Sequence, residues 1–277
     1  MVSEQYREML GKKSVIRQLS EAAARRAAQI GAENVFDYSL GNPSVPAPES
    51  FRRALLSLIE KNDPMALHGY SPTLGIPSVK ERIADSLNRR FEMAYAPEHI
   101  FPVSAAAAAI AHALRAVTQP GDEVLTFAPF FPEYHPYVDL TGARLRVIPP
   151  DTDNFQADLA AFEKMLSPKV AAVLINTPNN PSGAVYSAET LTGLADVMRR
   201  KQKEYGHDIF LISDEPYREI VFDGKTQPYV SKFYENTIAC YSFSKALSIP
   251  GERIGYLAVN PACPYAAEIV NLSLIHI

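Results

Sequence analysis

The chain has 277 residues, 47% of them hydrophobic and 21% charged, with a formal net charge of −4. That make-up excludes a disordered chain and allows one large buried core, or one and part of a second. The weak negative charge gives no electrostatic case for nucleic acid or an anionic membrane, so neither is expected as a partner.

No apolar run nears the ~20 residues that span a bilayer, and the polar start Met1–Lys13 does not read as a signal peptide. Cys240 and Cys263 are too few for a disulfide framework and lack metal-ligand spacing, so no metal is expected and the default location is cytoplasmic.

In chain order, the amphipathic stretch Ser14–Ile30 and the proline-rich loop Asn42–Pro48 read as an arm and a crossing segment. A helix is expected over Val79–Phe91, with Ser78 and Glu81 as a capping box. The apolar run Ile100–Val103 leads into Ser104 and five alanines, which open a helix over Ala105–Val117. Strands are expected at Val124–Phe127, Leu145–Ile148, Val170–Ile175, Ile209–Ile212, Ile238–Tyr241 and Ile254–Val259. Helices are expected at Leu159–Leu166 and Ala188–Lys203. Short buried runs separated by helices predict an α/β fold with a largely parallel sheet. Ligands in such sheets bind beyond the carboxyl ends of the strands. Asn180, Asp214 and Lys245 each follow one of these runs.

Ser242-Phe243-Ser244-Lys245 is followed by Pro250-Gly251-Glu252-Arg253-Ile254-Gly255. The lysine amine can condense with an aldehyde, while a serine hydroxyl and the Arg253 guanidinium hold a dianion on the same molecule. That pairing suits pyridoxal 5'-phosphate, whose sites add a carboxylate on the pyridine nitrogen. Asp214, in Ser213-Asp214-Glu215-Pro216-Tyr217, supplies the carboxylate, and Tyr217 a phenol for the ring's 3'-oxygen. Asn180, in the turn-like run Asn176–Gly183, offers an amide to the same oxygen. Ser104 would cap its helix, leaving the amides of Ala105 and Ala106 facing an anion. Phe131, in the run Pro129–Tyr134, offers a face to stack on a flat ring. Each piece alone also reads as ordinary structure: an acidic turn, turn chemistry, a capped buried helix, a core aromatic pair.

Together the pieces resemble the class I/II aminotransferases, pyridoxal-phosphate enzymes of fold type I in the aspartate aminotransferase superfamily, over roughly Ser14 to Asn271. The likeness rests on Ser-x-Ser-Lys with Gly-x-Arg-x-Gly, Asn-Asn-Pro-Ser-Gly and Asp-Glu-x-Tyr. It also rests on Gly41–Pro43, and on Tyr70 in His68-Gly69-Tyr70-Ser71-Pro72, all in the family's order. The resemblance implies a mixed, mostly parallel sheet sandwiched by helices, with residues 1–45 as arm and part of a small domain and 46–271 as the cofactor-binding large domain. It implies Lys245 as the covalent attachment point and proton carrier, Asp214 on the ring nitrogen, Asn180 and Tyr217 on the 3'-oxygen, and Phe131 stacked on the ring. Ser242, Arg253 and the Ser104–Ala106 helix start would form a phosphate cup with Ser244 nearby. Tyr70 would reach the phosphate of a second copy, implying a homodimer, and Gly41 would lie beside the substrate carboxylate. The implied reaction is ping-pong transfer of an amino group between an amino acid and a 2-oxo acid.

Two departures stand out. The family usually carries glycine where Ala105 and Ala108 stand, and alanine clashes there if the backbone needs a positive φ. The family's substrate-carboxylate arginine lies in a C-terminal small domain that this chain lacks, so the chain is expected to bind cofactor but to transaminate poorly. Residues 272–277, Leu-Ser-Leu-Ile-His-Ile, are the translation of a transposase adapter, so the natural chain is expected to continue past Asn271. The alternatives are a pyridoxal-phosphate C–S lyase or decarboxylase on the same fold, the effector domain of a transcription regulator, or a non-catalytic remnant.

Overall fold

The computed structural model describes Glu4, Arg7 and residues 15–275. The chain divides into two units, Met1–Pro46 and Ala47–Ile277. In the first, helix α1 (Val15–Ile30) buries none of its side chains, and a 3₁₀ turn follows at Ala32–Asn34. The arm expected to begin at Ser14 is thus helical from Val15; Ser14 itself lies outside the described residues.

The second unit is built on seven strands in the order β1-β7-β6-β5-β4-β2-β3. They are β1 (Ile100–Val103), β2 (Glu123–Phe127), β3 (Arg144–Ile148), β4 (Val170–Asn176), β5 (Phe210–Asp214), β6 (Thr237–Ser242) and β7 (Gly255–Val259). Strands β2 to β6 pair in parallel, and β7 runs antiparallel between β1 and β6. The expected mixed, mostly parallel sheet is what the chain forms.

Both faces of the sheet are buried, which is why its strands read as continuous apolar runs. Along β4, Ala172 and Leu174 enter one core and Val173 and Ile175 the other, as a two-residue period requires. Helix α5 (Ala105–Val117) packs on the first core through Ala109, Ile110, Ala113 and Leu114. Helix α8 (Ala188–Tyr205) packs on the second through Leu191, Leu194, Ala195 and Met198. Burying a side chain such as Leu194 is worth about 2 kcal/mol, so this sandwich holds the strand ends in fixed register. No helix among the described residues is long and apolar enough to cross a membrane.

Several local expectations need correction. Ser78 and Glu81 form no capping box: α4 (Pro77–Phe91) begins two residues earlier than expected, with Ile76 at the cap and no side-chain cap bond. Proline at the first helical position needs no partner for an N–H it lacks, so the start moves to Pro77 and Ser78 falls inside the helix. Ile100–Val103, noted only as apolar, is strand β1. Two exposed helices, α2 (Glu49–Lys61) and α3 (Pro64–His68), were not anticipated. They bury no side chain, so no buried stripe marked them. Residues 272–275 continue α10 (Ala266–Ile275), and 276–277 lie outside the described residues.

Candidate active site

The carboxyl ends of β4, β5 and β6 lie side by side. Register pairs Asp214 at the end of β5 with Asn176 on β4 and Cys240 on β6. Beyond these ends opens a cleft of about 250 Å³. Asn180, Asp214, Tyr217, Ser242, Ser244, Lys245, Arg253, Phe131, Ala105 and Ala106 all line it. Residues separated by up to 148 positions in sequence (253 − 105) thus meet at one place.

Asp214 is buried on the cleft floor. Its Oδ2 accepts a 2.6 Å hydrogen bond from the Tyr134 hydroxyl, while its Oδ1, also buried, has no hydrogen-bond partner among the described residues. Burial pushes the carboxyl up to about 7; the Tyr134 bond opposes that rise and neighbouring Glu215 adds to it. An orphaned, buried carboxylate oxygen is costly, and a cationic N–H donor is the partner that would satisfy it.

Around Asp214 the side chains are joined to one another. Asn176 donates to the Asp214 carbonyl at 2.9 Å and accepts the Asn180 backbone N–H at 2.6 Å. Asn180 in turn donates its amide to the Tyr217 hydroxyl at 3.3 Å. Behind them Glu215 and Arg218 form a 3.0 Å ion pair, with side chains only 2% and 3% exposed. The guanidinium also lies 4.2 Å from the Tyr241 ring centroid and donates to the Tyr256 hydroxyl at 3.0 Å.

Lys245 sits on the short helix α9 (Phe243–Ala246), directly after β6, and is half-buried. Burial, and then the charge of Arg253, hold its ammonium below the ordinary lysine range, which favours the free amine. Ser242 and Ser244 share a 2.6 Å hydroxyl contact, and Arg253 is exposed at the cleft's rim.

The start of α5 is strained. Ala105 has φ 69°, the left-handed region in which an alanine side chain is crowded. The strand pairing explains how it is held there. Gly255 faces both Val103 and Ser242, and a Cβ on Gly255 would collide with the Tyr241 carbonyl oxygen and come within 2.8 Å of Ala105 Cα. The sheet thus draws the α5 start against β7, and Ala105 adopts the backbone that a glycine would take without strain. Ala108 has no positive φ, so the departure there is harmless.

Ser104 does not behave as anticipated. With ψ 67° it makes no side-chain cap bond to α5. Its ψ is far short of the extended backbone that aims a capping hydroxyl at the first turn. It lines a second cleft with His112, Arg253 and Gly255. Tyr70 is fully exposed and lines neither cleft. Gly41 belongs to the other unit.

The sequence reading passed over Tyr134, Asn176, Ala107 and Tyr137. Asn176 opens the quoted run Asn176–Gly183, and Tyr134 closes the run Pro129–Tyr134. A polar residue at the carboxyl end of a buried strand was the available signal for Asn176; nothing local marked Tyr134 above its aromatic neighbours.

A family model described as "Aminotransferase class I and II" matches residues 33–274. The aspartate aminotransferase of Thermotoga maritima is 30% identical over 88% of this chain and 65% of its own length. The aromatic-amino-acid aminotransferase 2 of Thermococcus litoralis is 30% identical over 82% of this chain and 57% of its own. A crystal structure of an amino transferase from Eubacterium rectale superposes with TM-score 0.94 and 44% identity, covering 99% of this chain and 69% of that one. The chain thus spans less than two thirds of the first curated relatives it matches.

Proposed function

The chain belongs to the class I and II aminotransferases, and from that premise we propose that its cleft binds pyridoxal 5'-phosphate. In the whole protein, this site moves an amino group between an amino acid and a 2-oxo acid. One observation carries the reading: Asp214 is buried with Oδ2 held by Tyr134 and Oδ1 unpartnered, in the same cleft as Lys245. A pyridinium N–H is the donor that completes this carboxylate.

The residues fit the rest of the cofactor. Asn180 and Tyr217 offer donors for its 3'-oxygen, Phe131 a ring face, and Arg253, Ser242 and the first amides of α5 a seat for its phosphate. When bound, the cofactor supplies an aldehyde that condenses with amines and a ring that draws electrons from the substrate's Cα. Lys245, its ammonium weakened by burial and by Arg253, acts as nucleophile and then carries the Cα proton on Nζ. Asp214 stays ionised against the ring nitrogen, and Tyr134 keeps that carboxylate from rotating.

The proposal extends to a homodimer in which Tyr70 reaches the partner's phosphate; its full exposure is compatible with that reach. Gly41 is assigned to the substrate-carboxylate side, residues 1–45 to the arm with part of a small domain, and 46–271 to the cofactor-binding domain. Two free cysteines are compatible with a cytoplasmic protein.

The test is covalent. Borohydride treatment after incubation with pyridoxal phosphate should fix the cofactor on the peptide containing Lys245, and Lys245→Ala should show no such mass. Labelling at another lysine, or none in the wild-type chain, would overturn the reading. Amino transfer that depends on a 2-oxo acid, measured on a full-length relative of this site, separates it from lyase or decarboxylase chemistry.

A further inference from the structure

We infer that Tyr137 is a phosphate-contact residue, its phenol hydroxyl donating to the anionic end of the cofactor between the start of α5 and Arg253. The inference rests on the cofactor reading above and adds a residue to it.

The need comes from the alanine tract. Ala105, Ala106 and Ala107 line the anion end of the cleft with backbone amides and no side-chain donor. A phosphate presents three strong acceptor oxygens. The two serines there engage each other and leave one hydroxyl proton between them: Ser242 Oγ lies 2.6 Å from Ser244 Oγ and also accepts the Ser244 backbone N–H. Arg253, which stands exposed at the rim, and the Tyr70 assigned above from a second copy are the other side-chain donors. The three phosphate oxygens can accept further hydrogen bonds beyond these.

Tyr137 is placed to supply one. It lies on helix α6 (Tyr134–Asp139), one turn beyond Tyr134, so the two phenols project from the same face. Tyr134 is spent on Asp214. Tyr137 lines the cleft, half-buried, and packs its ring against the core. Its hydroxyl makes no hydrogen bond among the described residues; its backbone N–H donates to the Glu133 carbonyl at 3.2 Å. Burial first, then the charges of Glu133 and Asp214, push the phenol up to about 12, against the opposing pull of Arg253. The hydroxyl is therefore protonated at neutral pH and available as a donor. Tyr137 lines the same cleft as Asp214 and Arg253.

Tyr137→Phe keeps the ring that packs on the core and removes only the oxygen. The apo chain and the variant are titrated with pyridoxal 5'-phosphate and, separately, with pyridoxal, which lacks the phosphate; thermal unfolding confirms that both are folded. Losing a hydrogen bond to a charged acceptor should weaken pyridoxal phosphate binding about tenfold and leave pyridoxal binding unchanged. Unchanged affinity for the phosphate form, or equal losses for both compounds, would overturn the role of Tyr137 while leaving the cofactor site standing. A wild-type chain that binds neither compound would instead overturn the cofactor reading and this inference with it.

Discussion

At the β4–β5 end of the cleft, side chains are tied to one another before any ligand arrives. Tyr134 holds Asp214, Asn176 holds the Asp214 carbonyl and the Asn180 amide, and Arg218 holds Glu215 within an aromatic surround. At the α5–β7 end, shape is set by backbone instead: Ala105 and Arg253 both carry positive φ, and Gly255 is pressed against Ala105 and the Tyr241 carbonyl. The contrast follows from what each end must bind. A ring nitrogen is read by one carboxylate whose ionisation must be controlled, and that needs a buried network. A phosphate is read by convergent N–H groups, and that needs a particular backbone.

The largest expected effect tests whether the network supports its end of the cleft. Arg218→Leu leaves Glu215 charged and unpaired in the core, which should cost about 3–5 kcal/mol in urea unfolding. Arg218→Leu combined with Glu215→Gln should recover much of it. A single variant with near wild-type stability would mean the pair is peripheral.

Asp214 gives the next effect, and its sign is fixed by the carboxyl being raised to about 7. Between the unfolded value near 4 and the folded value, the native state keeps a proton that the unfolded chain has released. Native stability of the apo chain should therefore fall as pH rises from 4 to 7, by a few kcal/mol from this group. Asp214→Asn removes the contribution, so its unfolding midpoint should decline less across that window than the wild type's. Parallel curves would deny the raised carboxyl.

A smaller effect isolates the Tyr134 bond. Tyr134→Phe leaves Asp214 Oδ2 buried without its donor, at a cost of about 1–3 kcal/mol. Because that bond holds the carboxyl down, the variant should move the pH dependence upward. A loss of stability with no movement in pH would reduce Tyr134 to a packing residue.

The two ends also differed in how legible they were. Asp214, Asn180 and Lys245 each follow a buried apolar run within five residues, and Tyr217 lies three past Asp214, so strand ends and the short motifs beside them pointed to all four, which the cleft gathers. The sheet was readable for the same reason: with both faces buried, β4 to β6 are unbroken apolar runs. The supporting groups were not readable. Tyr134 acts through a partner 80 positions away, and Arg218, beside its local partner Glu215, is fixed by Tyr256 38 positions away, contacts that only the tertiary fold creates. Ser104 misled because a serine before alanines is a good cap in isolation. Here β1 and β7 dictate the backbone at that point, and the sheet overrides the local preference.

The smallest predicted effect bears on the strained end. Ala105 in the left-handed region costs about 1–2 kcal/mol relative to an unstrained residue. Glycine would relieve that cost but return about 0.4–1 kcal/mol of extra freedom to the unfolded chain. Ala105→Gly should thus stabilise the protein by roughly 0.5–1 kcal/mol. Ala108→Gly, three residues further into the same helix and free of positive φ, should destabilise by about 1 kcal/mol. Ala105 is buried at the helix start and Ala108 half-buried within it, so opposite signs in chemical denaturation would trace the difference to the backbone that the close approach of Gly255 imposes on Ala105. If both variants lose stability alike, the start of α5 is not strained, and the backbone account of the phosphate end fails.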